Sequence, residues 1–102
     1  MVTTLTDSSF DSVIREAAEP VLVDFWAAWC APCRSLSPIF EAASDEVAGV
    51  RFCRLNIDDC PNTAAHFGIQ SVPTLMLFRG GRVANTAARP LSKQQIKTLA
   101  TS

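Results

Sequence analysis

No apolar stretch in this chain approaches the roughly 18 consecutive residues of a membrane-spanning helix, so a spanning protein is not expected. There is no run of Lys or Arg. Nine basic against ten acidic residues leave a formal charge of -1, which argues against an electrostatic nucleic-acid footprint. The opening residues, Met1 to Asp7, have neither a charged n-region nor a long apolar segment. No signal peptide is expected, and the chain reads as cytoplasmic. Internal repeats, low-complexity tracts and linkers rich in Pro, Gly or Ser are also missing. No Gly-rich phosphate loop is present, so no bound cofactor is expected. Histidine is limited to His66, on a short polar segment that suits a solvated face better than a Cys-His hydrolase.

What is there suits one domain spanning residues 1–102. At this length about two-thirds of the unfolded surface can be buried, enough for one core without metal or staples. Hydrophobic residues make up 48% of the chain, which supports a packed core over a disordered tail.

The elements alternate. Residues 2–5 suit a short edge strand. Asp7 can cap a helix over residues 8–18, with Phe10, Val13, Ile14 and Ala17 on one face. Val21 to Trp26 is nearly continuous apolar sequence, as in a strand covered on both faces. A second helix is expected from near Cys33 to Val47, kinked by Pro38. Residues 50–57 alternate as a strand, and Pro61 suits the first turn of a helix over residues 61–67. Residues 74–78 and 82–86 form a hairpin around Gly80-Gly81. Ser92-Lys93-Gln94-Gln95 is a capping box that opens the last helix. The order βαβαβαββα predicts an α/β fold with a mixed central sheet of about five strands, flanked on both faces by four helices.

Four cysteines are present: Cys30, Cys33, Cys53 and Cys60. The pair in Trp29-Cys30-Ala31-Pro32-Cys33 follows the buried strand and opens the second helix. At a helix N-terminus, unpaired amides and the dipole stabilise a Cys30 thiolate, the attacking species in disulfide exchange. Cys33, one turn on, is placed to attack a mixed disulfide, and Pro32 stiffens the ring between them. The alternative is structural zinc. It lacks a second close pair, because six residues separate Cys53 from Cys60 and Cys53 lies within a strand.

Asp24 interrupts the apolar strand six residues before Cys30. Either it reaches water or a structural partner, or it is buried with a raised pKa and accepts the Cys33 proton, with water as relay. Arg54, on a neighbouring strand, is placed either to moderate that charge or to face solvent. Val72-Pro73-Thr74 sets a proline at the start of a central strand. A cis turn there would bring Pro73 against the cysteines and free the Val72 backbone for a substrate strand.

Taken together, these residues resemble the thioredoxin family. Asp24-Phe25-Trp26-Ala27-Ala28-Trp29-Cys30-Ala31-Pro32-Cys33 resembles its active-site signature, Val72-Pro73-Thr74 its cis-proline turn and Leu55-Asn56-Ile57-Asp58 its third strand. The likeness runs from about Thr6 to Leu99. It implies Cys30 as nucleophile, Cys33 as resolving cysteine, Asp24 as buried proton acceptor and Pro73 as cis. Trp29, Ala31, Pro32, Val72, Pro73 and Arg89 are then the substrate-binding residues, and no metal site is expected. The implied function is a protein dithiol–disulfide oxidoreductase, an electron carrier in cell redox homeostasis. Its implied partners are disulfide-containing proteins and an NADPH-dependent thioredoxin reductase, and a monomer is expected.

The chain departs from the family pattern at Ala31-Pro32, where Gly-Pro is usual, at Arg89-Pro90, where Gly-Ala is usual, and in its short last helix. Two other readings stay open. One is an oxidant or isomerase on the same fold, which tends to carry His between the cysteines. The other is a non-catalytic binding subunit that uses the rim around Trp29 and Pro73. Cys53 is expected in the core. Cys60 is expected to be an inert thiol, with regulatory oxidation as the alternative.

Overall fold

Strand β2 (Val21–Trp26) organises the molecule. In the computed structural model, which describes residues 1–102, it lies at the centre of a five-stranded sheet of order β1-β3-β2-β4-β5. β1 is Val2–Thr4, β3 Arg51–Asn56, β4 Thr74–Arg79 and β5 Arg82–Ala87. β1 and β2 both pair parallel with β3, while β4 runs antiparallel to β2 and β5 antiparallel to β4. The helices are α1 (Phe10–Glu16), α2 (Ala31–Glu46), α3 (Pro61–His66) and α4 (Lys93–Ala100). This is the expected element order and mixed sheet.

Alternation along β2 feeds two cores. Val21, Val23 and Phe25 pack with Phe10, Ile14 and Cys60 from the α1/α3 side. Leu22 faces the opposite layer, with Leu36 and Phe40 of α2 and Ile96 and Leu99 of α4. Because side chains alternate with a period of two, Asp24 shares the face of Leu22 and points toward α2. Phe40 and Phe52 pack in that layer with ring centres 5.1 Å apart, tilted by 57°.

The terminal hairpin turns through Gly80 and Gly81, both at positive φ (59° and 80°), as a two-residue turn requires. The capping box on α4 is present in both directions: Ser92 Oγ accepts from the Gln95 amide, and Gln95 Oε1 accepts from the Ser92 amide. α2 continues through Pro38, whose missing amide leaves one carbonyl of the preceding turn without its helical donor.

Several boundaries differ from expectation. α1 is only Phe10–Glu16, shorter than residues 8–18, and its N-cap is Ser9. Thr6 and Ser9 bond one another's amides through their side chains and occupy the turn that Asp7 was expected to cap. Asp7 instead reaches 56 residues along the chain. Its carboxylate accepts from the Thr63 amide at 2.9 Å, the Thr63 hydroxyl at 2.6 Å and the Asn62 amide at 3.3 Å. It therefore caps α3 from a distance. α2 opens at Ala31, not near Cys33, because Pro32 needs no amide partner in a first turn. β3 ends at Asn56, so Ile57 and Asp58 belong to the turn after it.

The Thr63 hydrogen bonds hold the Asp7 carboxyl below its ordinary range. A lowered folded pKa adds stability above the unfolded value of 3.8 that is lost as pH falls through the folded one. Asp7→Ala is expected to lower the denaturant midpoint at about pH 7, and the gap to wild type should narrow on acidification. Urea titrations of both proteins at about pH 7 and about pH 2 check this. A constant gap would mean that the charge of Asp7 does not contribute.

Candidate active site

The site begins where β2 stops. The chain turns through Ala27, Ala28 and Trp29, and the Cys30 amide donates to the Ala27 carbonyl at 3.2 Å. Cys30 is the N-cap of α2, in extended backbone with φ -92° and ψ 109°. Its sulfur accepts from the Cys33 amide at 3.2 Å, so an orphan donor of the helix start is aimed at that atom. Cys30 and Cys33 form a disulfide, with their Cα atoms 5.2 Å apart. Both are buried, Cys30 less fully (5% exposed) than Cys33 (1%), so a reduced Cys30 is the one an incoming partner meets first.

The Val72–Pro73 bond is cis, as the turn reading expected. Pro73 is buried and Val72 half-buried, so the rim of the site is formed by Val72 more than by the proline ring. The Val72 carbonyl oxygen lies 3.6 Å from Cys30 Sγ. Cys30, Cys33 and Ala27 form a small apolar cluster against Trp26, Ile57 and Val72. Ala31 and Pro32 are exposed on the same rim.

Trp29 is 67% exposed, and its indole N–H donates to Asp58 Oδ2 at 2.9 Å. Sequence reasoning missed Asp58 in this role. The signal was the Asn56-Ile57-Asp58 turn, in which Asn56 Oδ1 takes the Asp58 amide and aims the residue at the rim. Arg89 lies beyond β5. The strand register, extended past Leu75–Ala87, sets it level with Pro73, and it lines an open groove between β5 and α4.

Behind the disulfide, Asp24 and Cys33 line one cavity of about 260 Å³ with Trp26, Arg34, Ser37 and Arg54. Asp24 is 1% exposed, and neither carboxyl oxygen has a hydrogen-bond partner in the protein. Desolvation pushes its pKa from 3.8 up to about 7, against the opposing pull of Arg54, its register partner on β3. Arg54 is half-buried and not a free surface residue. Arg34 and Ser37, also absent from the sequence reading, sit on α2 one and four residues past Cys33, where helical spacing turns them to the same cavity.

Cys53 and Cys60 are free and buried in the α1/α3 core. Burial pushes the Cys53 thiol up to about 11 and raises that of Cys60, so both are poor nucleophiles. No group of three or more His, Cys, Asp or Glu side chains converges as a metal site would require.

The family model for thioredoxin matches residues 1–102. The chain belongs to the thioredoxin family. It is 44% identical over 93 residues to the thioredoxin of Allochromatium vinosum, covering 90% of this chain and 87% of that protein. It is 47% identical over 87 residues to that of Rickettsia felis, covering 84% and 83%. Against the thioredoxin of Pseudomonas aeruginosa it is 42% identical over 96 residues, covering 93% and 89%. As a thioredoxin family member with this Cys30–Cys33 pair, it is a dithiol–disulfide oxidoreductase. Disulfide-containing proteins and a reductase are the partners this family implies. No helix is long and apolar enough to cross a membrane.

The raised pKa of Asp24 has a direct consequence for stability. A carboxyl held at about 7 in place of 3.8 contributes stability that is full below the unfolded value. That contribution falls as the unfolded chain ionises and is gone once pH passes the folded value. Asp24→Asn removes this pH dependence. The variant is expected to gain on wild type as pH rises from about 4 to about 7, by on the order of 4 kcal/mol at most, with no further gain above. Denaturant midpoints across that range check it. Parallel curves for the two proteins would mean that Asp24 titrates normally.

Proposed function

We propose that this protein is a general protein-disulfide reductase in which Cys30 attacks and Cys33 resolves. The single observation that carries the assignment is the Cys33 amide donating to Cys30 Sγ at the start of α2. It stabilises the Cys30 thiolate before attack. The Cys30 thiolate displaces one sulfur of the substrate disulfide and forms a mixed disulfide. The Cys33 thiolate then attacks Cys30 Sγ, the second substrate thiolate leaves, and two electrons have passed to the substrate. Asp24 takes the Cys33 proton as Cys33 becomes nucleophilic, and the shared cavity has room for a water relay. A carboxyl with pKa about 7 suits that role near neutral pH.

Trp29, Ala31, Pro32, Val72 and Pro73 are assigned to substrate docking, with the Val72 backbone offered to an extended substrate strand. Ala31-Pro32 between the cysteines supplies no cation to the thiolate, which favours a reductant over an oxidant or isomerase. The oxidised pair is assigned to reduction by an NADPH-dependent thioredoxin reductase, with the chain as one monomeric domain that carries electrons in the cytoplasm.

Cys33→Ser is expected to accumulate a mixed disulfide with an oxidised peptide, and Cys30→Ser none. Mass spectrometry of the two mixtures reads the difference, and equal trapping would overturn the assignment of roles. An insulin-reduction assay with a defined reductant separates turnover from a purely binding role.

Arg89 and Pro90 are assigned to recognition and not to redox tuning. A partly screened charge at several ångströms contributes on the order of 0.5 kcal/mol, a few tenths of a pKa unit. Arg89→Gly combined with Pro90→Ala should keep the potential within about 15 mV of wild type, while KM with a thioredoxin reductase changes. A glutathione titration beside a reductase-coupled assay tests this. A potential shift of tens of millivolts with unaltered reductase kinetics would reverse the conclusion.

A further inference from the structure

The acidic residues are confined to one part of this chain, where they mix with Arg15, Arg34, Arg51 and Arg54. All ten acidic residues precede Cys60, and the remaining residues, 60–102, carry Arg79, Arg82, Arg89, Lys93 and Lys97 with no carboxylate side chain among them. The fold keeps that division, because β4, β5 and α4 all come from this segment and β4–β5 forms one side of the sheet. Lys93 and Lys97 are neutralised by Glu46 of α2. Arg82 and Arg89 are not: no carboxylate lies within ion-pair distance of either. Arg79 is already engaged, donating at 2.8 Å to the main-chain oxygen of Ser102, the last residue of the sequence.

Two local features oppose stability here. Arg79 and Arg82 are cross-strand partners on either side of Gly80-Gly81, and like charges directly opposite one another repel. β5 is also a sheet edge, exposed from Arg82 to Thr86, with Val83 46% exposed. The other edge, β1, has three residues and no charged side chain. Beside β5, against α4, runs an open groove of about 430 Å³ whose only charged lining residue is Arg89.

We propose that β5 is a docking edge for an extended acidic segment of a partner protein, which adds to the sheet as a sixth strand and places a carboxylate on Arg82. The edge supplies main-chain donors and acceptors, apart from the Thr86 amide that Asn85 Oδ1 already takes, and Val83 supplies an apolar contact. The unpaired Arg82 selects a negative side chain. A second copy of this chain is disfavoured, since its β5 carries no carboxylate and would leave Arg82 unpaired. A nucleic acid gains nothing from a strand edge and meets a molecule of net charge -1. The Arg79–Arg82 tip lies at the end of β4 away from Pro73, about 20 Å along the strand at roughly 3.3–3.4 Å per residue. A partner held there leaves the disulfide free to react.

The test is a titration of isotope-labelled protein with a short synthetic peptide of alternating Glu and Val, followed by NMR. Amide shifts and slowed hydrogen exchange are expected along Arg82–Ala87, and binding should weaken as salt is raised. Arg82→Glu should weaken it about tenfold or more, and Arg82→Gln by less. Arg82→Glu turns a repulsive cross-strand pair into an attractive one, so its thermal stability should hold or rise while binding falls. Insulin reduction without the peptide should be unchanged, so this outcome is read separately from the disulfide chemistry. The proposal is overturned if the peptide with Lys in place of Glu binds equally, or if the shifts fall elsewhere. It is equally overturned if β5 does not respond at millimolar peptide, or if a single-stranded oligonucleotide or an anionic vesicle binds β5 more tightly than the peptide.

Discussion

Everything at the redox site depends on the burial of β2. A strand covered on both faces must end abruptly when it reaches the rim of the sheet, and here it turns straight into the longest helix of the molecule. That junction puts Cys30 on the first free amides of α2 and Cys33 one turn inward. The same burial gives Asp24 its chemistry. The strand alternation that sends Leu22 into the α2/α4 core sends Asp24 toward the same helix, two residues nearer the rim. A carboxyl in that place is costly to ionise, and the cost is what makes it a usable acceptor near neutral pH.

Much of this was legible in the sequence because the signals were local. The apolar run of β2, the Gly80-Gly81 turn and the Ser92–Gln95 capping box each act over a few residues, and the structure has all three. The Cys30–Cys33 spacing and the charge inside β2 were equally plain. The reading failed where a short polar side chain had a choice of partners. Asp7 resembles a cap for the helix that follows it, yet it closes the start of α3, a choice that only tertiary packing decides. Arg34, Ser37 and Asp58 were missed for a related reason. Each looks like an ordinary surface residue until the fold brings it to the cavity or the rim.

The charge segregation shows a different kind of miss. A net charge of -1 describes the chain as nearly neutral and argues against electrostatic partners of one kind. The sum conceals that every acidic residue precedes Cys60 while the segment after it carries only basic ones, and in this topology β4 and β5 from that segment form one side of the sheet. Net charge governs long-range behaviour. Contact is governed by the local arrangement of charges.

The sheet has mixed polarity, and this fixes how the site comes into existence. β2 arrives at the active rim with its C-terminal end, whereas β4, running antiparallel to it, leaves from that rim with its N-terminal end. The cysteine pair and the turn that faces it therefore come from segments 42 residues apart, meeting at Cys30 Sγ and the Val72 carbonyl. A chain that has emerged only as far as α3 already holds both cysteines but none of the wall opposite them. Both thiols thus precede in the chain the Val72–Pro73 wall that faces them, and the docking of β4 onto β2 completes the site.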